Sequence, residues 1–443
     1  MAENGSRNTV CVVGGGIAGL SAAVFLAEKG FKVTLVEASP KLGGRTYSFF
    51  DKKFGGVIDN GQHILASWYT DTFRLLKTIG SFDKLSFQKQ LNVEFADIEG
   101  TRYSLKASNL PPPLHLAGGI MRYKALSLSD KLSLIRLVNG IKKSKWPDEE
   151  LRGINTDKFF KLAGQTDGVI VKFWEPFIIA VFNARPERTS ALLFSQMIKR
   201  GFIDKGGSEL VLPNGFLNEI FSEPAREYLN TKNSIVHVNK AASEFCIKDN
   251  KVTSVIFENS TEFQSDYFVC AVPFFDMPRL FANNYDEVFE KRFELEYSPI
   301  VNIHLKFNSD ISEIIGSRFI GLLGTVSQWV FKIKEDQVCV VISAAEKTAE
   351  KTKEDIAELA IKELNECIPL LRGKKVISTR VLKEMRATIV PDADSLNNRL
   401  PNRTKISNMF LAGDWTDTGL PSTIEGAVRS GRVCAEYIEK DKL

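Results

Sequence analysis

"TVCVVGGGIAGLSAAVFLAEKGFKVTLVEAS" spans Thr9 to Ser39, and its reading decides the fold. Thr9 to Val13 is a short apolar run, the pattern of a buried parallel strand. Gly14, Gly16 and Gly19 then fall in the spacing GxGxxG. A helical stretch from Ile17 to Lys29 follows, and Gly30 stops it. A second apolar strand, Lys32 to Val36, ends at Glu37 and Ala38. Each part suits a dinucleotide. Gly14 permits the tight turn, Gly16 lets backbone approach a pyrophosphate, and Gly19 lets helix and strand pack closely. The helix N-terminus, at Ile17 and Ala18, offers free N–H groups and partial positive charge to phosphate. Glu37 lies about twenty residues on, where a carboxylate accepts from ribose hydroxyls. An acid there disfavours a ligand carrying a 2′-phosphate.

The segment that follows, "KLGGRTYSF", contains Gly43, Gly44 and Arg45. It resembles the GGR segment of the flavin amine oxidase and phytoene desaturase superfamily. The resemblance implies FAD, with glycine backbone and arginine along the pyrophosphate and ribityl chain. A planar multidentate cation suits that place. Next, "GVIDNGQHIL" puts Gly61, Gln62 and His63 where the superfamily runs backbone past the isoalloxazine. "SIVHVNKAASEFCIKDNKVTSVIFENSTEFQSDYFVCAVP", from Ser234 to Pro273, resembles its second dinucleotide-domain segment, with Val238 giving backbone to the adenine. Near the end, Met409 to Ala412 reads as a strand, Gly413 as an approach point to the cofactor, and Asp414 as the superfamily's ribityl or pyrophosphate aspartate. Ser422 is the expected N-cap of a last helix whose first N–H groups, around Thr423, Ile424 and Glu425, face the flavin N1 and C2 carbonyl. No Cys or His falls in an attachment context, so the FAD is expected to be non-covalent.

The resemblance implies an α/β fold. A Rossmann-type FAD-binding domain is built from discontinuous segments, 1–65, 206–285 and 383–443. An α+β substrate-binding domain takes 66–205 and 286–382. In 443 residues, hydrophobic residues make 44% and charged residues 25%, as in an ordinary globular protein. The net charge of +4 is too mild to argue for nucleic acid, and none of its recognition motifs is present. Six scattered cysteines with no CxxC pair read as reduced core residues, and no metal site is expected. The polar start "MAENGSRNTV" leads to the expectation of no signal peptide and a cytoplasmic location. "GVIVKFWEPFIIAVFNA" carries Lys172 and Glu175 and is too interrupted to span a bilayer. Residues 111–146 mix Leu, Ile and Met with Arg122, Lys124, Lys131, Arg136, Lys142, Lys143 and Lys145, against the single acid Asp130. A basic amphipathic helical pair of this kind can lie on an anionic bilayer, so peripheral contact with the inner face of the cytoplasmic membrane is an expectation.

"FWEPFIIAVFNARPERTSALLFSQMIKRGF" is similar to the corresponding segment of the hydroxysqualene dehydroxylase family. "GQHIL", "LPPPLHL", "LPNGF", "SQWVF", "VISAAE", "EMRATIVP" and "LAGDWTDTGLPSTIEGAVRSG" match that family in the same order and cover most of the chain. The resemblance implies reductive dehydroxylation of hydroxysqualene to squalene, on a long apolar isoprenoid substrate. An external electron donor is implied too, since no second nucleotide fingerprint is present. Four residues are candidates for assisting departure of the hydroxyl: Glu175, whose pKa burial in an apolar helix raises, Asp417, His63 and Arg386. An isoprenoid desaturase remains the alternative, because redox direction is not written in these motifs. An amine oxidase is disfavoured: Asn302 in "PIVNIHLKF" aligns where those enzymes carry a lysine, although Lys306 is near.

Overall fold

The computed structural model describes residues 8–111, 114–204, 208–289 and 294–442. Its first sheet has five parallel strands in the order Ile235–His237, Lys32–Val36, Thr9–Val13, Tyr267–Cys270, Met409–Leu411. The Rossmann-type domain is thus assembled from distant segments of chain. In the central strand, Val10 and Val12 point to one buried face, and Cys11 and Val13 to the other. The first face carries helix Ile17–Glu28, buried from Ile17 through Ala27 because the C-terminal helix Ile424–Lys442 covers its outer side. The second face is closed by the meander Ala242–Lys248, Lys251–Phe257 and Glu262–Gln264, through Phe245, Val255 and Phe257. Five of the six cysteines are buried, and burial pushes the thiols of Cys11 and Cys270 up to about 12.

The second sheet has seven strands, in the order Val376–Ile389, Tyr297–Phe307, Gln337–Ile342, Trp329–Lys334, Phe319–Leu323, Asn92–Asp97, Arg102–Lys106. Strand alternation divides Tyr297–Phe307 between two environments. Val301, Ile303, Leu305 and Phe307 pack in a core with Ile356, Ala360 and Leu364 of helix Lys353–Cys367. Asn302 and His304 turn the other way: Asn302 Nδ2 donates to Asn60 O (3.0 Å), and His304 Nε2 donates to Asp59 O (3.1 Å). Burial pushes the His304 imidazole down to about 4, so it is neutral. A helical layer, including Leu114–Arg122, Leu128–Lys142, Glu175–Phe182 and Ala191–Ile198, packs on the sheet around the fully buried Trp174. Trp174 Nε1 donates to Gln165 Oε1 at 2.8 Å, which satisfies the one polar atom that its burial would otherwise strand.

Two segments lie across the boundaries drawn from sequence. Strand Val376–Ile389 stays paired with Tyr297–Phe307 as far as Ile389, so the second sheet runs past 383. Helix Thr70–Thr78 puts Phe73, Leu75 and Leu76 into the core of the first domain. Its N-terminus is held by the Glu425 carboxylate, which accepts from Asp71 N (3.0 Å), Thr72 N (2.9 Å) and Thr72 Oγ1 (2.7 Å). A partner so distant in the chain has no local signature.

Helices Ile17–Glu28 and Ile424–Lys442 approach closely at Gly431. A Cβ there would lie 2.4 Å from Ala18 O and 2.6 Å from Ala22 N. Gly431→Ala therefore forces the C-terminal helix off its partner and should destabilise by about 1–3 kcal/mol. The midpoint of urea unfolding checks this; an unchanged midpoint contradicts the close crossing.

Candidate functional site

The fingerprint glycines divide by what demands them. Gly14 has φ +108°, and a Cβ there would lie 2.6 Å from Ala271 O. A Cβ on Gly19 would lie 1.9 Å from Gly14 O. Both glycines are required by the fold itself. Gly16 is different: the nearest atom to its Cβ position is Gly44 Cα, at 3.9 Å. The protein leaves that space to something else. Gly16 is also the N-cap of helix Ile17–Glu28 and makes no side-chain cap. The first-turn N–H groups, at Ile17 and Ala18, are therefore available to a phosphate. Gly43 (φ +104°) and Gly44 (φ +61°) fold over this loop, with Gly43 N donating to Gly15 O at 2.8 Å. The cradle has the shape of a pyrophosphate site, and its residues fit a dinucleotide.

At the adenosine end, the half-buried Glu37 is fixed by two bonds: Oε2 accepts from Gly15 N (2.6 Å) and Oε1 from Ser39 N (2.8 Å). Its remaining lone pairs are free for ribose hydroxyls. Ala38 is exposed at the rim. Residues 237–240 are laced along 37–39 by Glu37 N→His237 O, Asn239 N→Ser39 O and Lys240 N→Glu37 O, which sets Val238 beside Glu37.

At the other end, Arg45 Nη2 meets Asp414 Oδ1 at 2.6 Å, and Nη1 donates to Ala387 O at 2.7 Å. Burial works against both charges, but each outweighs that cost for the other. Arg45 sits above its ordinary range, and Asp414 is held below the usual carboxylate range. Ser422 Oγ also donates to Asp414, so Ser422 does not cap the last helix. Thr423 does, accepting from Gly426 N at 3.2 Å. Gly413 is a glycine because of Trp415: a Cβ at 413 would lie 2.2 Å from the indole Nε1, which donates to Val272 O. Ile424 is buried in the first-domain core. The Glu425 side chain turns away to helix Thr70–Thr78, leaving only its backbone at the helix N-terminus.

Asn60 Nδ2 links Arg45 O (3.2 Å) to Glu384 Oε2 (3.1 Å). Gly61 lies against the buried Asn302, whose Nδ2 would be 3.1 Å from a Cβ at 61. Gln62 Nε2 donates to Asp59 Oδ2 at 3.4 Å. His63 Nδ1 donates to Gly61 O at 3.0 Å. Burial, helped by the nearby Arg45 charge, holds the His63 imidazole below its ordinary value.

Of the four residues expected to assist the chemistry, His63 is the one adjoining Gly61. Glu175 is not a buried acid: it is half-buried, its Oε1 pairs with Arg185 Nη1 at 2.7 Å, and the partner is exposed. Asp417 is exposed, with its backbone N–H donating to Leu400 O. Arg386 is exposed and stacks over Phe275 at 3.9 Å. Sequence reasoning missed Glu384 and Asn60, which join Arg45 to the second sheet. Both stand inside segments already singled out, "EMRATIVP" and "GVIDNGQHIL", but polar residues there have no periodic signal. Lys306 pairs with Asp336 at 3.9 Å, away from Gly61.

The two kinds of glycine separate experimentally. Gly16→Ala is accepted by the fold but fills the cradle. The apoprotein should keep its unfolding temperature and lose FAD affinity, by equilibrium dialysis. Gly19→Ala should lower the unfolding temperature itself. A Gly16→Ala protein that binds FAD as the parent does would contradict the cradle.

A family model described as flavin containing amine oxidoreductase matches residues 17–439. The hydroxysqualene dehydroxylase of Zymomonas mobilis subsp. mobilis is 30% identical, across 96% of this chain and 97% of that protein. That of Rhodopseudomonas palustris is 28% identical, across 97% and 98%. The 15-cis-phytoene desaturase of Glycine max is 25% identical, across 98% of this chain and 79% of its own. Among solved structures, an oxidoreductase from Methanosarcina mazei superposes with a TM-score of 0.75 at 15% identity, covering 97% of this chain and 100% of that one. With the cradle, the Glu37 anchor and the Arg45–Asp414 pair in place, the chain belongs to the flavin containing amine oxidoreductase family and is an FAD-dependent oxidoreductase.

Proposed function

We propose that this enzyme reduces hydroxysqualene to squalene, a step in squalene and hopanoid biosynthesis. The reading rests on near full-length likeness to hydroxysqualene dehydroxylases together with an apolar core that reaches Ile64, next to His63. Half-buried Ile64 and Trp68 from the first domain, Phe177 and Phe202 from the helical layer, and Ile300 from the second sheet all pack against one core. Such a surface binds a long polyisoprenoid by area alone and keeps water from the reacting carbon. The near full-length likeness to hydroxysqualene dehydroxylases supports the same substrate.

FAD held in the Gly14–Gly19 cradle and at Arg45 and Asp414 would supply, in its reduced form, the hydride chemistry that replacing an allylic hydroxyl by hydrogen, with loss of water, requires. The chain's own residues position that event. Arg45 and Asp414 would hold the cofactor's phosphate and ribityl region. The N-terminus of the last helix, capped by Thr423, favours the negative charge that builds on a reduced ring. His63, neutral and donating through Nδ1 to Gly61 O, leaves Nε2 to accept a hydrogen bond from the substrate hydroxyl and orient it. Where amine oxidases of this fold carry a lysine, the buried amide of Asn302 faces Gly61, which favours an uncharged isoprenoid over an amine. FAD is held without a covalent bond, and an external donor of electrons returns it to the reduced form. We place the protein at the inner face of the cytoplasmic membrane, bound peripherally through residues 111–146; among the described residues no helix is long and apolar enough to cross it.

The test is product analysis. FAD-loaded enzyme, reduced without oxygen and given hydroxysqualene, should yield squalene, one molecule for each flavin oxidised. No squalene, together with dehydrogenation of squalene or phytoene by the oxidised enzyme, assigns it instead to the desaturases.

A further inference from the structure

The helices Leu114–Arg122 and Leu128–Lys142 bury one face and leave the other unusually apolar. Inward, Leu116, Ile120, Leu134, Leu137 and Ile141 join the core that contains Trp174 and Phe177. Outward, Leu110, Leu114, Met121, Leu128 and Leu132 are between 46% and 62% exposed. Plain solvated helices do not gather four large apolar side chains on their water side, with a fifth, Leu110, just before the first of them.

The charges on this face are almost all of one sign. Arg122, Lys124, Arg136, Lys142, Lys143 and Lys145 are exposed, and Lys131 is half-buried with its Nζ donating to Met121 O at 3.0 Å. The acid within the segment, Asp130, is buried and used: it closes the capping box with Ser127. Acids resume only at Asp148, Glu149 and Glu150, beyond Trp146. Along Leu128–Lys142 the outward positions change character from end to end. Leu128 and Leu132 stand on the first two turns, and Arg136, Asn139 and Lys143 continue the same stripe.

This second half forms a shallow, open groove lined by Leu132, Ile135, Arg136, Asn139, Lys143 and Lys145. Gly140 lies in its floor because the ring of Trp146 occupies the place of a side chain, 2.4 Å from a Cβ at 140. Lys145 Nζ sits 5.0 Å over that ring. Apolar leucines, a cationic cleft and an indole capped by lysine are, side by side, the surface chemistry of a bilayer interface.

We infer that this face docks on an anionic phospholipid bilayer, with Leu128, Leu132 and Met121 entering the acyl boundary and the Arg136–Lys143–Lys145 groove taking the headgroup phosphate. The occupant is identified by charge and polarity together. An acidic soluble protein would match the lysines but not the exposed leucines, and a neutral membrane would match the leucines but leave the cleft unpaired. The docked face is the outer side of a helical layer whose inner side joins the core that holds Trp174. The inference deepens the membrane placement made above but needs no substrate, so its test is separate from that of the reaction.

The test uses the FAD-loaded full chain in vesicle flotation. Wild type should float with vesicles containing phosphatidylglycerol, and do so less at high salt and less on pure phosphatidylcholine. Replacing three cations, in Arg136→Gln/Lys143→Gln/Lys145→Gln, should weaken binding to anionic vesicles on the order of a hundredfold. Leu128→Ser/Leu132→Ser should abolish flotation at high salt as well as low. Flavin absorbance and unfolding temperature, unchanged in both variants, show that the fold is intact. Wild type that stays at the bottom of the gradient with anionic vesicles, or variants that float as wild type does, overturns the inference.

Discussion

One ion pair holds the cofactor end of this enzyme together. Arg45 and Asp414 are 369 positions apart in the chain, yet meet at 2.6 Å. Arg45 stands just after the glycines that fold over the phosphate cradle. Asp414 stands just after the last strand of the parallel sheet, and Ala387, which accepts the other Arg45 nitrogen, belongs to the second sheet. Three remote segments are therefore registered by one guanidinium. Its planar fork suits this task better than an ammonium, because two acceptors are held at fixed angles by one group. Gly413 and Trp415 complete the joint: the indole lies where a side chain at 413 would be, and is tied by Val272 O to the strand that leads from the first sheet.

The C-terminal helix is positioned by a second, independent set of contacts. Gly431 lets it approach helix Ile17–Glu28, and Ser21 Oγ donates to Val428 O at 2.8 Å. Glu425 reaches across to cap helix Thr70–Thr78, whose Asp71 pairs with Arg429 and Arg432 at 2.8 and 2.7 Å. These contacts fix where the helix begins, and hence where its positive end points. In the proposed reaction, that end would stabilise the negative charge that builds on a reduced flavin. Packing far from the site thus determines the electrostatics within it.

The parts legible in sequence were those with a local rule. The strand, turn, helix and strand of residues 9–37 follow from apolar runs and glycine spacing, and the five-stranded parallel sheet is built around them. The segments at 234–273 and 409–414 are placed by resemblance, and their strands lie in the same five-stranded sheet. What stayed hidden depends on partners distant in the chain. Ser422 and Thr423 are both good caps, and only the proximity of Asp414 to Ser422 decides between them. Glycine at 413 looked like room for a ligand but makes room for Trp415. Glu175 sits in an apolar segment, yet it pairs with Arg185, which lies beyond the far end of its helix. The same limit explains why Asn60 and Glu384 went unremarked: a polar residue in a loop or edge strand has no period to betray its role.

The proposed reaction requires hydrogen to pass from the reduced cofactor to the carbon that loses its hydroxyl, on an apolar surface that excludes water. A single turnover of reduced, oxygen-free enzyme in heavy water measures this most directly, since the hydrogen available for transfer from the cofactor is then deuterium. The account predicts squalene carrying one deuterium, at the carbon that bore the hydroxyl. Squalene without deuterium, or with deuterium scattered over other positions, would contradict it.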